Sequence, residues 1–213
     1  SSDLHPSSLP PTVLKWTVIT LSDIGPNAWT PKVSFTFPRC MEADPLTSVG
    51  PKGWEPDGKA SWWPYYQERH KLSPLFWVQG HMLNQLVHGR GTPMTLVPLR
   101  NPLPTNMSAM VEERVKKMVD AGKILRYVVY AHWEGKMSTG GTPHVLEHPE
   151  AIRKAYGIKG VDPNGTLLWG EQFAPTRLSW EVYEYTNWPM KTLKQIVLSE
   201  SGYDRSQWNN HFP

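Results

Sequence analysis

Apolar and polar positions alternate along several stretches of the chain and change to a helical spacing in one. Val13–Leu21 (VLKWTVITL) and Lys32–Phe37 (KVSFTF) alternate with β-branched residues and read as two strands, joined by a turn around Gly25-Pro26-Asn27. Leu75–Val78 (LFWV) is a short aromatic-rich run after Pro74, which suits a strand, and His81 falls where that strand ends. His88–Pro93 (HGRGTP) is too rich in Gly and Pro for regular structure. Thr95–Leu99 has room for one more short strand, an edge strand because Pro98 has no N–H for a ladder. Then the period lengthens. Met107, Val111, Val115, Met118 and Val119 form an apolar stripe at helical spacing, with Thr105 as its cap and Gly122 as its stop.

After that helix, Ile124–Trp133 alternates again, with Leu125, Tyr127, Val129 and Ala131 on one face. Trp180–Tyr185 (WEVYEY) is expected to be the last strand, after a turn at Asp162-Pro163-Asn164-Gly165. Thr192–Glu200 (TLKQIVLSE) is expected to form a short helix stopped by Gly202, with a further turn over Arg205–His211. Residues 39–70 are dense in Pro and Gly and are expected to lack regular structure. Strands and helices that do not alternate regularly predict an α+β fold, an antiparallel sheet carrying the strand, loop, strand, helix unit of residues 75–122. That fold is expected as one domain over 12–213, behind a Ser/Pro-rich flexible lead-in over 1–11.

Composition adds bounds. A chain of 213 residues with 39% hydrophobic content can bury one substantial core. The formal charge of +3 permits a polyanionic partner without demanding one. Cys40 is the only cysteine, which excludes an intramolecular disulfide and a thiolate zinc cluster, and it reads as a small buried hydrophobe. No apolar run approaches membrane-spanning length. The start, SSDLHPSSLPP, has neither Met nor the features of a signal peptide and reads as a domain cut from a longer protein.

The candidate chemistry concentrates in residues 75–122. Asn106 lies in the first turn of the expected helix. At about 100° per residue, Glu113 falls within about 20° of it on the helical wheel, whereas Glu112 lies off that face. Asn106 and Glu113 can then act in one place. A lone histidine beside an apolar strand is usually structural, so His81 draws its interest from Gly80 before it, the Gly-rich loop after it, and Asn106 one hairpin later. His88 lies in that loop, within reach of a phosphate. Asn84 reads as a cap or turn residue, and Asn101 is held extended by Pro102. His144 and His148 read as exposed loop residues because Pro143 and Pro149 oppose a helix. Trp54, Trp62 and Trp63 could stack on bases or sugars, but tryptophans in a long irregular segment more commonly pin it to the core.

The strings WVQGHMLN, HGRG and LVPL, followed by Asn106 and by MVEERVK, resemble the non-specific DNA/RNA endonuclease family, whose site is the ββα-metal or His-Me finger. Within it they resemble the branch found as toxin domains of bacterial polymorphic and contractile-injection effectors. The resemblance covers about Phe76 to Lys117. Of the usual D-R-G-H motif only Gly80-His81 matches, with Val78-Gln79 in place of Asp-Arg, and Thr95 stands where relatives often have Asn. The resemblance implies that His81 is the general base and Asn106 the direct ligand of Mg²⁺, or of another divalent cation such as Mn²⁺. It leaves Glu113 to hold metal-bound water, with Glu112 as the fallback, and Arg90 or Arg100 to meet the phosphate in place of the missing arginine. The implied function is metal-dependent hydrolysis of DNA and/or RNA by a secreted effector that acts in the target-cell cytoplasm, its maker protected by a cognate immunity protein or by delivery before the toxin folds elsewhere. Two alternatives stay open. One is a catalytically inactive, Trp-rich module that binds nucleic acid or glycan without a metal. The other is a metal-dependent hydrolase of a different substrate.

Overall fold

The computed structural model describes residues 8–23, 33–63, 77–100, 111–133, 175 and 177–204. These residues form a mixed α/β protein dominated by an antiparallel sheet, with one α-helix among them. Five strands line up in the order β1 (Leu14–Asp23), β2 (Val33–Leu46), β5 (Leu125–His132), β6 (Arg177–Asn187) and β7 (Thr192–Asp204). Every neighbouring pair is antiparallel. The chain segment between β2 and β5 supplies a separate two-stranded ribbon, β3 (Trp77–His81) against β4 (Leu96–Arg100), and then helix α1 (Glu113–Asp120).

β5 sits at the centre of the sheet, flanked by β2 and β6. Its Leu125, Tyr127, Val129 and Ala131 are buried on one face, as their alternation predicts. They join Met41 and Ala43 of β2 and Leu178, Trp180 and Val182 of β6 in one core cluster. Val111, Val115 and Val119 of the helical stripe close the cluster from above, together with Val97 and Leu99 of β4. Each fully buried apolar side chain of this size stabilises the fold by about 1.5–3 kcal/mol. The helix stops where expected, at Gly122 with φ +77, a left-handed conformation that glycine adopts without steric cost. On the opposite face of the sheet, residues between the buried ones form a polar network in which Arg126 meets Glu42 at 3.4 Å and Asp44 at 3.7 Å.

Two elements differ from expectation. β2 does not stop near Phe37 but runs on to Leu46, into the segment expected to be irregular. Its Met41 and Ala43 are buried while Glu42 and Asp44 are half-buried, so a period of two persists beneath the prolines. Pro38 is accommodated opposite Val18, next to a register shift that leaves Arg39 of β2 unpaired, and the Pro45 carbonyl accepts from the Val13 N–H. At the other end, β6 is not the last strand. Thr192–Glu200 belongs to β7 rather than to a helix, and the strand passes through Gly202 to Asp204. The reason is tertiary. A turn over Trp188–Lys191, with Lys191 at φ 53, returns the chain along β6, and ladder pairing with Arg177–Asn187 outweighs the weak local helix preference of a segment that includes the β-branched Thr192, Ile196 and Val197.

Smaller observations complete the comparison. From the expected lead-in, Leu9 is buried with Ile124 and Tyr185. Cys40 is half-buried rather than buried. Trp62 is fully buried, its ring 5.7 Å from Phe37, in keeping with a packing role. The turn at 25–27, the helix start with Thr105 and Asn106, Asn101, His144, His148, the turn at 162–165 and the stretch 205–211 lie outside the described residues.

Candidate functional site

His81 is the last residue of β3, paired with Leu96. Gly80 before it lies under Leu99, and a Cβ there would come within 2.2 Å of the Leu99 Cδ1. The backbone just after His81 is tied down twice. The Met82 N–H donates to the Thr95 carbonyl at 2.9 Å, and the buried Tyr127 hydroxyl donates to the Met82 carbonyl at 2.8 Å. The central strand of the sheet thus fixes the end of β3. Tyr127 ionises far less readily than an ordinary tyrosine, first because it is buried and then because the Glu112 carboxylate is near, so its hydroxyl stays a donor.

The ring of His81 has a defined partner. Its Nε2 lies 2.9 Å from the backbone carbonyl of Trp54. A carbonyl can only accept, so Nε2 carries the proton, and in the neutral ring the lone pair sits on Nδ1. No described residue hydrogen-bonds to Nδ1.

Trp54 reaches His81 because two backbones run in contact. The Trp54 N–H donates to the Gly89 carbonyl at 3.1 Å and the Asp57 N–H to the Gly91 carbonyl at 3.1 Å. A Cβ at Gly53 would stand 2.2 Å from the Gln85 carbonyl oxygen, one at Gly89 1.7 Å from that of Leu83, and one at Gly91 2.2 Å from that of Glu55. Only glycine permits so close an approach. The Gly-rich loop is therefore a seat for the strap of residues 50–58. Thr95 is buried and its hydroxyl donates to the Arg90 carbonyl, which holds the loop from beneath.

Arg90 emerges from this seat between two indoles. Its guanidinium carbon lies 5.7 Å from the ring centroid of Trp16 and 5.7 Å from that of Trp54, both cation–π distances. Its Nε is buried without a hydrogen-bond partner, and the side chain makes no ion pair among the described residues. Trp54 remains 42% exposed even so. Of the two arginines the sequence nominates, Arg90 is therefore the one next to the His81 anchor. Arg100 pairs with Trp77 at the far end of the ribbon, about 13 Å along the strand from His81 at 3.3 Å per residue.

The glutamates sort differently from the helical-wheel expectation. Glu113 is exposed, while Glu112 is half-buried and accepts at 3.0 Å from the Asn84 side chain. The Asn84 oxygen in turn caps the short 3-10 turn Gln85–Val87 by accepting from the Leu86 N–H, the cap or turn role its sequence position suggests. Glu112 is thus the glutamate turned toward the loop that follows His81. His88 is not available to a phosphate. It is buried, with Nδ1 2.8 Å from the Pro51 carbonyl and Nε2 2.8 Å from that of Thr47, and it fastens the strap to the loop.

The structure therefore brings together His81, Arg90 and Trp54, with Glu112 linked to the same loop through Asn84. The sequence reading missed the Trp54 carbonyl, the Trp16 ring and the Asn84–Glu112 bond. Glycines at 53 and 91 were the available signal that two segments touch. No three His, Cys, Asp or Glu side chains converge on a common point among the described residues. No helix among them is long and apolar enough to cross a membrane. The chain matches no known protein-family model and no curated protein.

Proposed function

We propose that the chain is a metal-dependent endonuclease of the ββα-metal type, cleaving phosphodiester bonds in DNA and/or RNA, with His81 as the general base. The observation that carries this reading is the bond between His81 Nε2–H and the Trp54 carbonyl. It fixes the ring, assigns the proton to the outer nitrogen and leaves Nδ1 as the basic atom, which is what removal of a proton from an attacking water requires. The hairpin-then-helix order around His81 supports the same reading.

Arg90 meets the non-bridging oxygens of the scissile phosphate in this scheme. Its charge is uncompensated among the described residues, and the two indoles hold its planar group in one orientation. Asn106 would be the direct ligand of Mg²⁺ or Mn²⁺. Glu112, whose half-buried carboxylate is held by Asn84, replaces Glu113 as the group that would hold metal-bound water. Oxygen donors of this kind fit a hard cation that keeps most of its hydration. Bound there, the cation would neutralise charge on the phosphate and the leaving oxygen.

A nuclease without sequence preference damages the cell that makes it, so the reading extends to a delivered toxin domain acting in the target-cell cytoplasm, with a cognate immunity protein. The test is incubation of supercoiled plasmid and of RNA with the purified chain, in Mg²⁺ and in EDTA. Cleavage in Mg²⁺ that EDTA abolishes supports the proposal. Binding with no cleavage of either substrate sinks it in favour of an inactive binding module.

A further inference from the structure

We infer that Trp54 makes this a site for unpaired nucleotides, so that the substrate is single-stranded nucleic acid, or an unpaired stretch within a duplex, in preference to paired DNA or RNA. The inference rests on the endonuclease reading and adds to it which form of nucleic acid the site takes. Three features of one residue carry it. The carbonyl of Trp54 holds His81, its N–H is held by Gly89, and its indole packs against Arg90 while staying 42% exposed. A large aromatic ring is thus held against the cation that meets the phosphate, on a residue whose backbone carbonyl anchors the His81 ring through Nε2.

An exposed tryptophan that merely lacked a cover would be free to turn. This one is clamped. Arg90 lies over one face, between Trp54 and Trp16, and orients the indole as much as the indole orients the guanidinium. A ligand that satisfies the pair must offer a planar π surface to the remaining exposed indole and an anion to the guanidinium, one residue's reach apart. A nucleotide has both. In a duplex the base faces are covered by their neighbours and only base edges are presented in the grooves, so a fixed indole cannot stack without unpairing a base. In a single strand every base has a free face, and stacking on an aromatic platform is tolerant of sequence. A neutral glycan would use the indole but leave Arg90 without its anion.

The experiment measures binding in EDTA, where no cleavage occurs, using fluorescently labelled single-stranded and double-stranded oligonucleotides of one sequence and a single strand with abasic sites. The wild-type chain is expected to bind the single strand about tenfold tighter than the duplex and the abasic strand, the scale of one stacked base. Trp54→Ala should remove that preference by weakening single-strand binding about tenfold while duplex binding stays nearly unchanged, and Trp54→Phe should keep most of it. The backbone bonds to His81 and Gly89 survive both substitutions, and circular dichroism checks that the fold does too. Equal affinity of the wild-type chain for single strand and duplex, or a preference that persists in Trp54→Ala, overturns the inference, as does tighter binding of a neutral oligosaccharide. If the protein cleaves plasmid in Mg²⁺ yet shows no preference in EDTA, the endonuclease reading stands and this inference alone fails. If it prefers single strands but cleaves nothing, the endonuclease reading is the one that fails.

Discussion

Tyr127→Phe removes one oxygen from the point at which the sheet holds the end of β3. The Tyr127 hydroxyl donates to the Met82 carbonyl at 2.8 Å, both residues are 2% exposed, and that carbonyl has no other hydrogen-bond donor among the described residues. Phenylalanine fills nearly the same space, so the loss is that of the bond together with a buried acceptor left unpaired, about 1–3 kcal/mol. For a chain of 213 residues this corresponds to a fall in Tm of about 2–4 °C per kcal/mol, so about 2–12 °C in all. Cleavage should fall with it, because Met82 follows His81 directly. A pH dependence accompanies the substitution. Burial, and after it the Glu112 charge, raises the pKa of Tyr127, so the folded state favours the protonated phenol. That contribution is complete below the unfolded value near 10 and is lost as pH rises from there toward the higher folded value. Urea titrations from pH 8 to about pH 11 should therefore show the wild-type chain losing stability above about pH 10, and Tyr127→Phe losing less. Some slope should remain, because burial and the bond to Asp44 raise Tyr185 as well. A variant as stable as wild type at pH 8, with the same alkaline slope, would refute the role given to this hydroxyl.

Two further predictions separate local causes. Gly89→Ala places a Cβ 1.7 Å from the Leu83 carbonyl oxygen and should cost about 3 kcal/mol or more, whereas Gly122→Ala meets nothing within 4 Å and should cost only the left-handed φ, about 1–2 kcal/mol; equal losses in urea unfolding would contradict the backbone contact. Glu112→Gln should lower cleavage by about 10- to 100-fold and recover in part at high Mg²⁺, while Glu113→Gln stays near the wild-type rate. The opposite ranking would return the outer role to Glu113.

What the sequence discloses is what local periodicity controls. The alternation of Leu125–Ala131 and the stripe Val111, Val115, Val119 each point at the core because one face of each is apolar, and the structure buries them together. The end of β3 at His81 was legible from the short aromatic-rich run before it. β7 was not, since TLKQIVLSE carries a mixed pattern and only its pairing with β6 decides its state. The continuation of β2 was hidden by prolines that settle beside a register shift and at the strand end. In the candidate site, His81 and Arg90 could be named from composition and order. Their partners could not, because Trp16 and Trp54 come from segments 74 and 36 residues away from Arg90 in the chain, and only the fold brings them to 5.7 Å. The choice between Glu112 and Glu113 turned on a contact with the loop after His81, which a helical wheel does not contain. A wheel referenced to Asn106 favours Glu113, whereas the structure turns Glu112 toward Asn84.

The most direct measurement is the cleavage rate of His81→Ala at saturating Mg²⁺, set beside its binding of single-stranded oligonucleotide in EDTA. The account predicts a rate lower by about two to four orders of magnitude, with binding close to wild type, because the substitution removes the basic Nδ1 while Arg90 and Trp54 remain. A wild-type cleavage rate in His81→Ala would contradict it.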